Sequence, residues 1–244
     1  LIGDSGNTAS ISDLSFILNP ALVIKSVAQV YRAPSFIKNP KLSEMLSMGF
    51  FAHDELEQFN SIYESIDFFQ LSSLIEELEE RLDESLDQFI PNKITELKAF
   101  YEMIAELTVH RDEAEDLYEQ LKDLPIWRTN QGFENLQEIL LPGDFEDPTG
   151  FASHLHPRCL SKPIQNFLEK KLGVQRQTIE AYIEFILPKY FSEDGPEDIE
   201  MYQKLMATFA GHKKLLKDES TLELLNETAL IPTKSGEWKT PGEV

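Results

Sequence analysis

"LPIWRTNQGFENLQEI", residues 124–139, is the stretch on which the reading of the fold turns. A short apolar, β-prone run, Ile126-Trp127, stops at Thr129. Gly132 supplies the backbone freedom that a tight reversal needs, and Phe133 follows on the return strand. Polar turn residues between two β-prone runs predict a β-hairpin with a three- or four-residue connection. The phrase recurs at 229–244, "ALIPTKSGEWKTPGEV", with Leu230-Ile231, Thr233, Gly236 and Trp238 in corresponding places. A third, weaker copy is expected at 1–14, "LIGDSGNTASISDL". There Ser5-Gly6 lines up with Ser235-Gly236, Ser10 with Thr240, Asp13 with Glu243 and Leu14 with Val244. Copies at Gly6, Gly132 and Gly236 are spaced far more widely than solenoid periods, so they mark tandem, domain-sized units.

The segments between these hairpins also recur, loosely. The first runs through Asn19-Pro20, an amphipathic stretch to Tyr31, Pro40 and a helix-like run to "MGF" at 48–50. The second runs through Asp147-Pro148, Pro163 and a helix-like run at 164–171 to "LGV" at 172–174, whose glycine suits a helix C-cap. A further helix is expected in each: Leu56, Phe59, Tyr63 and Ile66 in one, and Ile179, Ile183 and Ile186 in the other. Asp54 and Thr178 are placed as N-caps. Last helices at 112–122 and 218–226 lead into the next hairpin. The first unit has extra length at 67–109. Leu71, Ile75, Leu78, Leu82, Leu86 and Phe89 form one apolar stripe; Ile94, Leu97, Tyr101, Ile104 and Leu107 form a second, beyond Pro91. Two antiparallel helices closing on each other would bury both stripes. The expectation is an α+β, predominantly helical fold with helices packed around small β-hairpins. Its units are 1–123, with a helical-hairpin insertion at 67–109, and 124–244.

Composition narrows the function classes. The 244 residues carry 43 acidic and 22 basic side chains, a net charge of −21. Nucleic-acid affinity comes mainly from Lys and Arg neutralising phosphates, so such a surface disfavours nucleic acid, and by the same sign anionic membranes. An acidic solvated surface and an acidic module for a basic protein partner both fit this charge. Apolar residues (41%), including 16 Phe, suffice for a core. Cys159 is the single cysteine, which excludes an internal disulfide and fits a reducing compartment. No apolar run reaches the ~18 residues of a membrane span. The chain starts without Met and without a basic-then-apolar signal, so an internal fragment of a longer intracellular, cytoplasmic protein is expected.

The phrase formed by Leu124, Pro125, Ile126, Thr129 and Gly132, with Asp147-Pro148, resembles the repeat region of the large sacsin-like proteins, including the plant No Vein type. Leu230, Ile231, Pro232, Thr233, Gly236, Trp238, Pro241 and Glu243 carry the second match. In that family a GHKL-type ATPase domain is followed by long α/β repeat regions. "DSGNT" at 4–8 holds Asp4 and Gly6 but lacks the second glycine of the ATPase element, and no paired Glu/Asn helix precedes it. The resemblance therefore implies repeat region rather than ATPase. It implies a chaperone-like or scaffolding role, polypeptide partners, and contacts with an ATPase domain of the same parent chain.

"HLHPRC", 154–159, carries the strongest candidate chemistry. His154, His156 and Cys159 could ligate a metal from an extended segment, or supply a Cys/His pair, in a divergent hydrolase or metal-dependent domain. A structural zinc needs a fourth ligand, and His53, His110 and His212 are scattered, so the alternative is an ordinary polar loop. Trp127 and Trp238 either grip a partner or lid their hairpins. No Walker-A loop, Gly-x-Gly-x-x-Gly, Gly-x-Ser-x-Gly or His-Glu-x-x-His occurs. The leading expectation is a non-catalytic structural and protein-binding segment with no cofactor or metal.

Overall fold

The computed structural model describes residues 15–18, 24–26, 30–33, 51–52, 54–82, 90–109, 115–191, 198–212 and 218–244. The expected hairpin at 1–14, Asn19-Pro20, Pro40, the "MGF" at 48–50, Leu86 and Phe89 lie outside these residues. The chain divides into two compact units: Leu1–Leu124 with Ser161–Ile164, and Pro125–Leu160 with Gln165–Val244. The architecture is α+β and predominantly helical, and every sheet among the described residues has two strands. No described helix is long and apolar enough to cross a membrane.

In the first unit β1 (Ser15–Leu18) pairs antiparallel with β2 (Ile24–Ser26), with a register shift between Ser15 and Ile17. This hairpin was not assigned from sequence, where Ser5-Gly6 had the stronger turn signature. A short extended segment at 30–32 follows, with a parallel partner on each side. Tyr31 bridges Phe51 and Arg32 bridges Phe68. Three main-chain bonds fix this: Ala52 N–H to Tyr31 O (3.0 Å), Arg32 N–H to Asp67 O (2.7 Å) and Phe69 N–H to Arg32 O (3.1 Å). A 3₁₀ turn (Asp54–Gln58) and α1 (Asn60–Tyr63) connect 51–52 to 67–69. Helices α2 (Leu71–Leu82), α3 (Ile94–Leu107) and α4 (Glu115–Asp123) complete the unit.

The helix stripes fall where the apolar spacing put them. On α2, Leu71, Leu74, Ile75 and Leu78 are at most 1% exposed. Helix α3 buries more than one stripe, since Phe100, Met103 and Ala105 are buried beside Leu97, Tyr101, Ile104 and Leu107. The sequence paired the α2 stripe with α3; among the described residues α2 also lies against α4. A helix buried on several faces, as α3 is, does not need one dedicated partner to cover it.

The second unit follows the same order. Strands β3 (Trp127–Arg128) and β4 (Phe133–Glu134) form the expected hairpin across Thr129–Gly132. The Thr129 hydroxyl organises the turn, accepting from Gln131 N–H (3.0 Å) and Gly132 N–H (3.1 Å) and donating to Glu134 Oε2 (2.6 Å). A 3₁₀ turn (Leu136–Glu138) capped by Asn135 leads into β5 (Ile139–Leu140). Strand β5 pairs in parallel with β6 (Ser153–His154), and Leu141 bridges Arg176. The main-chain bonds repeat those of the first unit: Leu155 N–H to Leu140 O (3.3 Å), Leu141 N–H to Gln175 O (2.8 Å) and Gln177 N–H to Leu141 O (2.9 Å). A 3₁₀ turn (Pro157–Cys159) and α5 (Lys162–Lys170) connect β6 to 175–177. Gly173, with φ 69°, stands just past α5, where a left-handed residue closes the helix.

Helix α6 consists of α-helical Ile179–Ala181, a π-turn (Tyr182–Ile186) and α-helical Leu187–Tyr190. The π-turn has a local cause. Pro188 lacks an N–H and its ring would crowd the carbonyl four residues back, so the backbone widens just before it. Helices α7 (Ile199–Gly211) and α8 (Glu219–Glu227) follow, capped by Asp198 and Asp218. The hairpin β7 (Ile231–Pro232) with β8 (Trp238–Lys239) comes next, and then a 3₁₀ turn (Pro241–Glu243) with a Thr240/Glu243 capping box. Its connection, Thr233–Glu237, is one residue longer than that of the first hairpin phrase. Glu237 O rather than Gly236 O therefore takes the Thr233 N–H (2.8 Å), and Gly236 turns at φ 88°.

In this order α2 corresponds to α6, α3 to α7 and α4 to α8. The described residues of 67–109, read from sequence as an insertion, hold the end of the frame and helices α2 and α3, in the order seen at 175–211 of the second unit. Likewise, the counterpart of Ile179–Ile186 is Leu71–Leu78, not the 56–66 stretch.

Candidate functional site

The shared frame makes positions in the two units comparable. Phe51 and His154 occupy one place in the hydrogen-bond register, and Phe69 and Gln177 another. In the first unit Phe51 and Phe69 are 4% and 3% exposed, and their rings meet edge to face at 5.2 Å. Two aromatic rings fill those places. In the second unit the same places hold an imidazole and a primary amide, and a cleft of about 390 Å³ opens there. Its lining includes Asn130, Gly143, Asp144, Phe145, Glu146, Asp147, His154 and Gln177.

The cleft is built from main chain first. Segment 141–145 runs beside 175–177, with Phe145 N–H donating to Gln177 O (3.2 Å). Gly143 lies so close to this neighbour that an added Cβ would sit 2.0 Å from Gln177 O. Only glycine fits such an approach. Asp147, Gly150 and Ala152 add a loop to the lining. One Asp147 oxygen accepts from Thr149 N–H (2.7 Å) and the Thr149 hydroxyl (2.6 Å), and the other from Ala152 N–H (2.8 Å). Thr149 in turn meets the Tyr182 hydroxyl at 2.7 Å, which ties the loop to the π-turn of α6. Burial pushes the Tyr182 phenol well above its ordinary value, opposed by the weaker pull of the Thr149 bond.

His154 is pinned through its backbone. Its N–H donates to Asn130 Oδ1 (2.9 Å), and Asn130 N–H donates to His154 O (3.2 Å). Its Nδ1 is buried without a hydrogen-bond partner. Burial lowers the basicity of the imidazole, and the Asp147 charge opposes this more weakly. His156 behaves differently: its Nδ1 accepts from Arg158 N–H (3.3 Å) and caps the 3₁₀ turn. Cys159 is fully buried, and burial raises its thiol above the usual range, with Arg128 a weaker counterweight. Among the described residues no group of three or more His, Cys, Asp or Glu side chains has metal-holding geometry. The sequence placed His154, His156 and Cys159 together as candidate ligands. The structure gives them separate tasks, because a helical turn begins at Pro157 and removes Cys159 from the extended segment.

Trp127 is wholly buried, so it serves the core rather than a gripping patch. Trp238 packs edge-on against Phe191 (5.8 Å) and Tyr202 (5.0 Å), lidding its hairpin against helices. Sequence reasoning missed Gln177, Asp144 and Glu146. The signal that finds them is an exchange of Phe for His and Gln at inward places, visible once the units are aligned in the structural register. Comparison with known proteins finds no matching family model, no matching curated protein and no matching solved structure.

Proposed function

We propose that the chain is a non-catalytic structural and protein-binding segment, two copies of one repeat belonging to a large, cytoplasmic, sacsin-like protein of chaperone or scaffold type. The observation that supports this reading is the common hydrogen-bond register of the two units, with different side chains at equivalent places. Repeated frames that hold shape and vary their lining are the economy of binding arrays rather than of single-site enzymes. The resemblance of the two hairpin phrases to the sacsin-like repeat region adds the family. Partners on this reading are polypeptides, with an ATPase domain of the parent chain as a further contact.

Light scattering tests it. A thermally unfolding client enzyme is heated with and without an equimolar amount of the chain, without nucleotide. Suppressed aggregation, with no hydrolysis of ATP or of ester substrates by the chain itself, is expected. Unchanged aggregation together with no detectable binding of unfolded client overturns the reading.

A further inference from the structure

We propose that the outer edge of β7 receives an extended segment of a partner polypeptide, which adds to it as an antiparallel strand. This rests on the reading of the chain as repeated, protein-binding units and names one edge through which they bind. The two hairpins of the second unit share one build and differ in what lies beside them. In each, the threonine N–H closes the turn: Thr129 donates to Gly132 O (2.7 Å) and Thr233 to Glu237 O (2.8 Å). Each hairpin leads into a 3₁₀ turn, Leu136–Glu138 or Pro241–Glu243. Ile231, Pro232, Thr233 and Lys234 thus stand in the places of Trp127, Arg128, Thr129 and Asn130.

The edge of β3 is covered, and its cover shows what the edge of β7 takes. Thr129 forms an antiparallel bridge with Leu155, His156 N–H donates to Arg128 O (2.8 Å), and Asn130 N–H donates to His154 O (3.2 Å). The covering strand is β6, and beside it Trp127 and Thr129 are 0% and 1% exposed. On β7 the Thr233 N–H points into the hairpin, so the outward groups are the Pro232 carbonyl and the Lys234 N–H. Neither has a hydrogen-bond partner among the described residues, and both residues are exposed. Ile231 and Thr233, on one face of the strand, are half-buried where Trp127 and Thr129 are buried. Proline suits an edge strand and keeps the carbonyl that this place offers. The fitting occupant is an extended segment of the β6 kind. Its main chain supplies a donor to Pro232 and an acceptor for Lys234, and an apolar side chain in the place of Leu155 covers Thr233 and Ile231.

The test uses the whole chain and a peptide of residues 151–157, Phe-Ala-Ser-His-Leu-His-Pro, blocked at both ends. A second peptide carries an N-methyl group on the amide corresponding to His156, which removes the donor to Pro232. Nitrogen-15 spectra follow deuterium exchange at the Lys234 amide. A large excess of the first peptide is expected to slow that exchange at least tenfold, and the N-methylated peptide to leave it unchanged. Lys234→Ala keeps the N–H and should bind the first peptide as before, whereas Lys234→Pro removes the N–H and should weaken binding at least tenfold. If Lys234→Pro disturbs the hairpin, the pair of peptides still decides. Unchanged exchange at Lys234, equal binding of the N-methylated peptide, or slowing confined to Asn130 overturns the proposal. Protection of Lys234 that arises without peptide and vanishes on dilution makes the occupant a second copy, and overturns it too. If the peptide fails to bind while client aggregation is still suppressed, the edge assignment falls and the protein-binding reading stands. If it binds while the chain neither suppresses aggregation nor binds unfolded client, the edge stands and the chaperone-type reading falls.

Discussion

The first unit closes its central three-strand frame with Phe51 against Phe69; the second leaves His154 and Gln177 at those two places and opens a cleft. The backbone bonds around them are the same. The comparison separates two jobs that a sequence merges. Main-chain hydrogen bonds and buried helix stripes set the frame, and side chains at a few inward places decide what each frame presents there. In the first unit the Arg32 guanidinium lies 3.7 Å from the Phe68 ring centroid.

The largest break in the comparison comes from Gly143. Replacing it with Ala forces main-chain segments apart at the Gln177 carbonyl. A loss of about 4 kcal/mol is expected, because backbone rather than a flexible side chain must yield. Urea unfolding followed by circular dichroism measures it, and a loss under about 1 kcal/mol would mean the two segments are not packed this closely. Next come the matched core positions Ile75 and Ile183, each 1% exposed. Ile75→Ala and Ile183→Ala should each cost about 3 kcal/mol. Markedly unequal costs would show that α2 and α6 do not do equivalent work.

Alkali sharpens the contrast at Tyr182, whose counterpart is Leu74. Its folded-state phenol is raised above the unfolded value of about 10. The stability it contributes is present below that value and is lost as pH rises through and beyond it. Tyr182→Phe should therefore move the alkaline unfolding midpoint upward, as read by tyrosinate absorbance. An unmoved midpoint would place the alkaline transition elsewhere. The smallest effect belongs to the helix starts. The Thr178 hydroxyl accepts from Ala181 N–H (3.2 Å), whereas at Gln70 it is the carbonyl that takes the Leu74 N–H (3.1 Å). Thr178→Gln should cost about 1 kcal/mol and Gln70→Thr should return part of that in the first unit. Thermal melts of the two variants should move in opposite directions.

Much of this frame was legible in sequence. The Thr-x-x-Gly phrases gave two hairpins because their turn residues have few other uses, and the α2 and α3 stripes gave buried helices through spacing alone. The first unit's hairpin was missed because Ser15–Leu18 and Ile24–Ser26 lack the Thr-x-x-Gly signature. That miss shifted the register in which the two units were compared. The frame strands escaped notice because bridges at single residues such as Tyr31, Phe51 and Phe68 leave no periodic trace. The cleft followed from that loss: without the register, nothing paired Gln177 with Phe69. His154 was noticed, but beside Cys159, because proximity along the chain stood in for proximity in space.

The missing Cβ at Gly143 reaches beyond stability. It presses peptide against peptide, so the spacing between 143 and 177 is set by main chain, and side chains act only on top of that spacing. Exchanges along the cleft lining can then alter what that face presents without moving those two segments apart. A larger residue there would have to be answered by moved main chain, not by a turned side chain.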